Sequence, residues 1–272
     1  MEIIGYFSAV LMGAVLGLMG GGGSILAVPI LVYIFKIAPV MATAYSLFIV
    51  GLTSIFGMIA YIKKGLVDFK IGITFSIPSL IGVFVSRKFI VPALPQNLFS
   101  IGGFAINKDM AIMILFALMM LAASISMIRP AKAVDSEKHE VSPTKKIILV
   151  SVEGLIVGLL TGLVGAGGGF LVIPVLVMLA GLEMKTAVAT SLVVISMKSL
   201  IGFLGDVGAG HHIDWLFLAG FSSFTIVGAL LGTWLSKFVP SDKLKPAFGW
   251  FVLLMGIFIL YQSAMGASAG SH

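Results

Sequence analysis

Two runs of glycine interrupt long apolar stretches of the sequence, each just before a short apolar segment that ends in proline. The runs occupy positions 20–23 and 165–169, within GGGGSILAVP and GAGGGFLVIP. Glycine lets the backbone leave helical geometry, and the helix that restarts afterwards exposes unpaired N–H groups with partial positive charge. Such groups bind anions. The pattern therefore predicts an anion site at Gly21, Gly22, Gly23, Ser24, Gly167, Gly168 and Gly169.

A second interpretation of the same glycines is close helix packing. Gly13, Gly17 and Gly21 are spaced by four residues, which is the spacing that lets two membrane helices approach closely. The sequence leaves both interpretations open.

Hydroxyl side chains follow each glycine run at matching distances and are candidate hydrogen-bond donors to a bound oxyanion. They are Thr43, Tyr45 and Ser46 in the first half, and Thr190 and Ser191 in the second, where Val188 replaces the first threonine. The alternative is that these hydroxyls bond back to carbonyls of their own helix.

Two charged residues lie inside apolar segments. Lys198 is an intramembrane cation that could neutralise an anion, or its long side chain could snorkel to the interface. Glu153 is a candidate carrier of a coupling proton, with an interfacial carboxylate as the alternative.

Other chemistry is poorly represented. Asp206, His211, His212 and Asp214 crowd one predicted loop, but without a third spaced ligand a solvated loop is the better interpretation, and we expect no metal and no cofactor. There is no cysteine, no zinc-protease motif and no lysine-bearing nucleotide loop, so the sequence does not predict an enzyme.

The composition is that of a membrane protein. Of the 272 residues, 59% are hydrophobic and only 10% are charged, against about 25% charged in soluble domains. The net charge of +6 fits basic loops on the cytoplasmic side. The sequence has no basic stripe with interleaved aromatic residues, so it does not predict a nucleic-acid partner.

An internal repeat organises the chain. A shift of 145 positions aligns the two glycine motifs with five of ten positions identical, and after a one-residue slip Asp68 aligns with Asp214. Ten apolar segments result, five in each copy, and the second and seventh are too short to cross a bilayer core as helices. The predicted fold is an all-α polytopic membrane protein of two inverted repeats with glycine-broken short helices.

The predicted organisation is a first repeat at 1–128, a cytoplasmic linker at 129–146, a second repeat at 147–264 and a tail at 265–272. If all ten segments cross, twelve basic residues lie on the linker side and four on the other. The positive-inside rule favours this orientation, in a cytoplasmic (inner) membrane.

The doubled motif resembles the sulfite exporter TauE/SafE family. The residues that carry the resemblance are GGGGSILAVP with ATAYSL at 42–47, and GAGGGFLVIP with AVATSL at 187–192. It covers nearly the whole chain, apart from an apparent insertion around 99–108. The resemblance implies a membrane transporter of small sulfur-containing anions, such as sulfite or an organosulfonate.

The expected function is therefore secondary transport of a small oxyanion between the two repeats. The alternatives are an uncoupled anion channel or transport of a non-sulfur anion. The expected partners are the substrate anion, the lipid bilayer and a coupling ion, either proton or sodium, while the oligomeric state is left open.

Overall fold

The computed structural model describes residues 2–101, 104–128, 143–165, 168–178, 180–208 and 213–269. This part of the chain is almost entirely helical. The α-helices are α1 (Glu2–Met19), α2 (Ser24–Pro29), α3 (Pro39–Ile62), α4 (Phe69–Val85), α5 (Val91–Ala93), α6 (Lys108–Ile128), α7 (Pro143–Val164), α8 (Gly169–Met178), α9 (Met184–Gly208), α10 (Trp215–Leu235) and α11 (Ser241–Ala269). Gly20–Gly23 form a 3₁₀ turn, and Ile30–Ile34 and Ser86–Ile90 form π-helical turns.

Six apolar stretches of the described chain are long enough to cross a bilayer, so the protein is a multi-pass membrane protein. They are Ile4–Ile34, Pro39–Ile62, Phe69–Ala93, Lys108–Ile125, Met184–Gly208 and Trp215–Leu235. Two shorter apolar helices cover Ile148–Val164 and Gly249–Gln262. This confirms the predicted all-α membrane fold.

The first of these stretches folds back on itself at the glycine run. Gly20 has a φ of +62°, in the left-handed region that favours glycine. A Cβ on Gly23 would lie 2.6 Å from the Met12 carbonyl oxygen, whereas eleven residues of straight helix would separate the two by about 16 Å. A Cβ on Gly5 would likewise meet the Phe35 ring. The segment after Gly20 therefore runs back along α1.

Helices of the two halves pack in exchanged pairs. The most extensive contacts join α1 to α10, α4 to α7, α6 to α11 and α3 to α9. A Cβ on Gly13 would meet the Thr225 carbonyl, and a Cβ on Gly158 would meet that of Ser79. Gly13 is equivalent to Gly158 in the repeat, and Ser79 is equivalent to Thr225. The same contact is therefore made twice, with the two repeats in exchanged roles, as expected for repeats related by a two-fold axis. The inversion of the repeats across the bilayer stays a prediction.

Two segments depart in detail from the sequence prediction. The apparent insertion contains an antiparallel hairpin, β1 (Asn97–Ile101) and β2 (Phe104–Asn107), which leads directly into α6. The predicted linker ends in helix, because α7 already begins at Pro143. The rest of the linker lies outside the described residues.

Candidate functional site

The two glycine runs meet inside the protein, and their closest contact is backbone against backbone. A Cβ on Gly21 would collide with the Gly169 backbone, and a Cβ on Gly169 would collide with Gly21. Gly23 packs on the backbone of Leu16 in α1. At these three positions the packing interpretation accounts for glycine, since any side chain would push helices apart. Gly22 is buried in the same turn, and Gly167 lies outside the described residues.

The serines next to the first run have backbone partners. The Ser24 hydroxyl donates to the Gly21 carbonyl at 2.6 Å. The Ser191 hydroxyl donates to the Val188 carbonyl at 2.7 Å, and its oxygen accepts the Gly21 N–H at 3.3 Å. Ser191 thus ties α9 to the first glycine run, and both hydroxyl protons are used in backbone hydrogen bonds.

Lys198 lies beside the second run. Its side chain is fully buried in α9, and its ammonium nitrogen is 3.4 Å from the Thr161 hydroxyl of α7. A Cβ on Gly168 would lie 2.7 Å from the same nitrogen, and Gly168 itself has a φ of +61°. The snorkelling alternative for Lys198 is therefore wrong, because the ammonium group points into the protein beside glycine backbone.

Arg87 is a second buried cation, 1% exposed, and it is not among the site residues that the sequence predicts. The π-helical turn carries the Arg87 guanidinium inward, where its Nε lies 3.1 Å from a carboxylate oxygen of Asp206. Its Nη2 donates to the Thr43 hydroxyl at 2.9 Å, and Thr43 packs against Gly165. The usable signal was the apolar sequence on both sides of Arg87, which continues through Phe89 to Val91.

Asp206 also differs from the prediction. It is 1% exposed within α9, not in a solvated loop, because it is the carboxylate facing Arg87. Asp214 caps α10, its side chain accepting the Phe217 N–H at 2.9 Å. His211 and His212 lie outside the described residues. No group of three metal-ligating side chains occurs in the described part of the chain.

Two predicted substrate hydroxyls bond to helix starts. The Tyr45 hydroxyl oxygen accepts the Asp214 N–H at 2.8 Å, and the Thr190 hydroxyl oxygen accepts the Asp68 N–H at 3.0 Å. The two bonds join equivalent positions of the repeat. The bonds hold the starts of α4 and α10 against α9 and α3, and the substrate contacts of these two hydroxyls stay a prediction.

Several buried polar atoms have no hydrogen-bond partner among the described residues. They include the hydroxyls of Ser46, Ser86 and Ser199 and the Nη1 atom of Arg87. Buried polar groups are normally satisfied, so such atoms are candidates for contact with water or a ligand. Glu153, in α7, is partly buried, and one of its carboxylate oxygens also has no hydrogen-bond partner among the described residues.

The buried charges of the interior are unevenly paired. Three charged side chains are at most 1% exposed, namely Arg87, Lys198 and Asp206. Only the first and the last form an ion pair, and no carboxylate within the described ranges lies in ion-pair distance of Lys198. A buried cation without a counter-charge is unfavourable in an apolar interior, and a bound anion removes that penalty.

Long apolar helices around buried charge and glycine backbone are the features of a membrane transport protein. The chain belongs to the sulfite exporter TauE/SafE family, whose profile matches residues 6–259.

Relatives of similar length agree with this class. A probable membrane transporter protein of Xylella fastidiosa strain Temecula1 is 28% identical over 93% of this chain and 92% of its own length. The probable membrane transporter protein YunE of Bacillus subtilis is 28% identical over 92% of this chain and 94% of its own. No solved structure matches the chain significantly. The protein is therefore a membrane transporter and not an enzyme.

Proposed function

We propose that the protein is a secondary transporter of a small oxyanion, such as sulfite or an organosulfonate, in the cytoplasmic membrane. The observation that carries the proposal is Lys198, a fully buried cation beside the backbone of Gly168 with no carboxylate partner among the described residues. The family description, sulfite exporter, supports an anion of this class.

The proposed site lies at the second glycine run, between α7, α8 and α9. Lys198 and Thr161 flank the Gly168 backbone on one side. Arg87 and Thr43 lie at the other end of the run, where Thr43 contacts Gly165. Two cations and backbone held by glycine would stabilise an anion, and the Asp206 carboxylate would compete with it for Arg87. That competition keeps binding weak enough for release.

Transport in proteoliposomes, with and without a pH gradient, tests the proposal. We expect saturable movement of sulfite or a sulfonate, and a rate that responds to the gradient if Glu153 or another group carries a coupling proton. If sulfite, sulfonates, thiosulfate and sulfate all fail to move, the substrate class is wrong. Movement without saturation or coupling would favour the anion channel.

A further inference from the structure

We propose that a lysine-lined cavity at one mouth of the protein is an entrance site for the transported oxyanion. The cavity has a volume of about 150 Å³, and its lining includes Lys64, Lys185 and Lys237 from three different loops or helix ends. This inference rests on the proposed function. It specifies where the anion first binds and on which face of the protein.

The charge of the cavity is unbalanced. Among the described residues, its lining includes three lysines and no aspartate or glutamate. Burial lowers the pKa of Lys64, and repulsion from Lys237 and Lys185 lowers it further. Three ammonium groups that repel one another around one cavity are stabilised by an anion placed between them.

Lys64 is held in place for this role. Its ammonium nitrogen donates to the Thr233 carbonyl at 2.9 Å and lies 3.4 Å from the Ser236 hydroxyl. An ammonium group has three donors, so one stays available to an anion. Lys185 and Lys237 are exposed, which leaves the mouth accessible from water.

The cavity leads towards the glycine runs. Val188 is part of its lining, and a Cβ on Gly20 would lie 2.7 Å from the Val188 carbonyl oxygen. The next residue, Gly21, touches Gly169 of the second run. The cavity lining is thus linked through Val188 and the first glycine run to the second run, where the proposed central site lies.

Two of the three lysines have no basic counterpart in the other repeat. The positions equivalent to Lys185 and Lys237 are Val40 and Val91. The repeat scaffold alone does not require lysine at these positions. The two mouths of the protein therefore differ in chemistry at these two positions.

The test compares the triple variant K64Q/K185Q/K237Q with the wild type in vesicles of either orientation, made of phosphatidylcholine. Sulfite uptake is measured over a range of concentrations and salt. We expect the KM for entrance from the lysine face to rise, about fivefold for each lysine removed, the order for losing one charge contact at a solvated site. The maximal rate of uptake from the lysine face should not change, and the salt dependence of the KM for that face should weaken.

The matched control is K63Q/K70Q, which removes two exposed lysines from the same region outside the cavity lining. An equal KM shift in this control, or an unchanged KM in the triple variant, overturns the entrance site while the proposed function stands. If the variant effect appears only when phosphatidylglycerol is added, the lysines bind lipid phosphate and the entrance site is also overturned. If the wild type itself moves no tested anion, the proposed function fails first and the entrance site falls with it.

Discussion

The buried pair of Arg87 and Asp206 permits a test that separates folding from transport. Their charged atoms lie 3.1 Å apart, with the two side chains 0% and 2% exposed. Replacing Asp206 by Asn keeps the shape but leaves the guanidinium without its counter-charge. Breaking a buried pair in this way typically costs about 3–5 kcal/mol. A Coulomb estimate at this distance and an effective dielectric of 20 gives about 5 kcal/mol.

That loss is large beside a total stability of roughly 5–15 kcal/mol. On the scale of soluble domains it corresponds to a melting temperature lower by on the order of 10 °C. We expect Asp206→Asn and Arg87→Met each to show this loss in thermal unfolding of the purified protein. Lys88→Met is the control, because Lys88 is exposed directly beside Arg87 and its loss should change stability little.

The double variant Arg87→Met/Asp206→Leu should recover most of the stability, since replacing both buried charges by apolar side chains is often neutral or stabilising. Transport should not recover with it, because Arg87 supplies one of the two cations of the proposed site. With the single variants Arg87→Met and Asp206→Leu, the double variant closes a double-mutant cycle, which should give a coupling energy of about 3 kcal/mol. A stable Asp206→Asn variant would refute the ion-pair argument. A double variant with wild-type transport would remove Arg87 from the site.

Three further predictions concern the site and the topology. Lys198→Ala should weaken anion binding about fivefold to several hundredfold, since a charge contact near 4 Å is worth on the order of 1–4 kcal/mol. Equilibrium binding of sulfite measures this, and unchanged affinity would exclude Lys198. Gly168→Ala should reduce transport about tenfold or more, a loss of about 1.4 kcal/mol. Gly65→Ala is the control, because Gly65 has the same left-handed φ but open space around its Cβ. It should lower the free energy of unfolding by a similar amount of backbone strain and leave the transport rate unchanged. A single cysteine at Ser136 should react with an impermeant thiol reagent only from the cytoplasmic side; labelling from outside intact cells would contradict the proposed orientation.

The fold was largely predictable because its determinants are local and repeated. Runs of apolar residues predict membrane helices wherever they occur, and glycine at positions 20–23 breaks a helix whatever surrounds it. The repeat offset also predicts that residues such as Gly13 and Gly158 perform equivalent tasks. The structure shows both against a backbone carbonyl of the other half.

The site was predictable only in part, because burial of single charges depends on how helices pack. Arg87 follows an apolar segment and resembles any loop residue until the π-helical turn brings it inward. Asp206 similarly reads as a loop carboxylate, although it lies within the last part of α9. Conversely, Tyr45 and Thr190 have the residue types of a substrate site, yet their hydroxyls accept bonds from helix starts.

The helix-packing residues follow the two-fold repeat, whereas the charged residues do not. Packing glycines and capping hydroxyls occur in equivalent pairs, as in the bonds of Tyr45 and Thr190. The charges do not: the position equivalent to Asp206 is Tyr61, which lines the lysine cavity, and the position equivalent to Arg87 is Thr233, whose carbonyl holds Lys64. One end of the repeat pair is therefore an open basic cavity, and its counterpart is closed by a buried ion pair. Equivalent helices thus frame two ends of different chemistry, and the packing of the repeat does not itself require that difference.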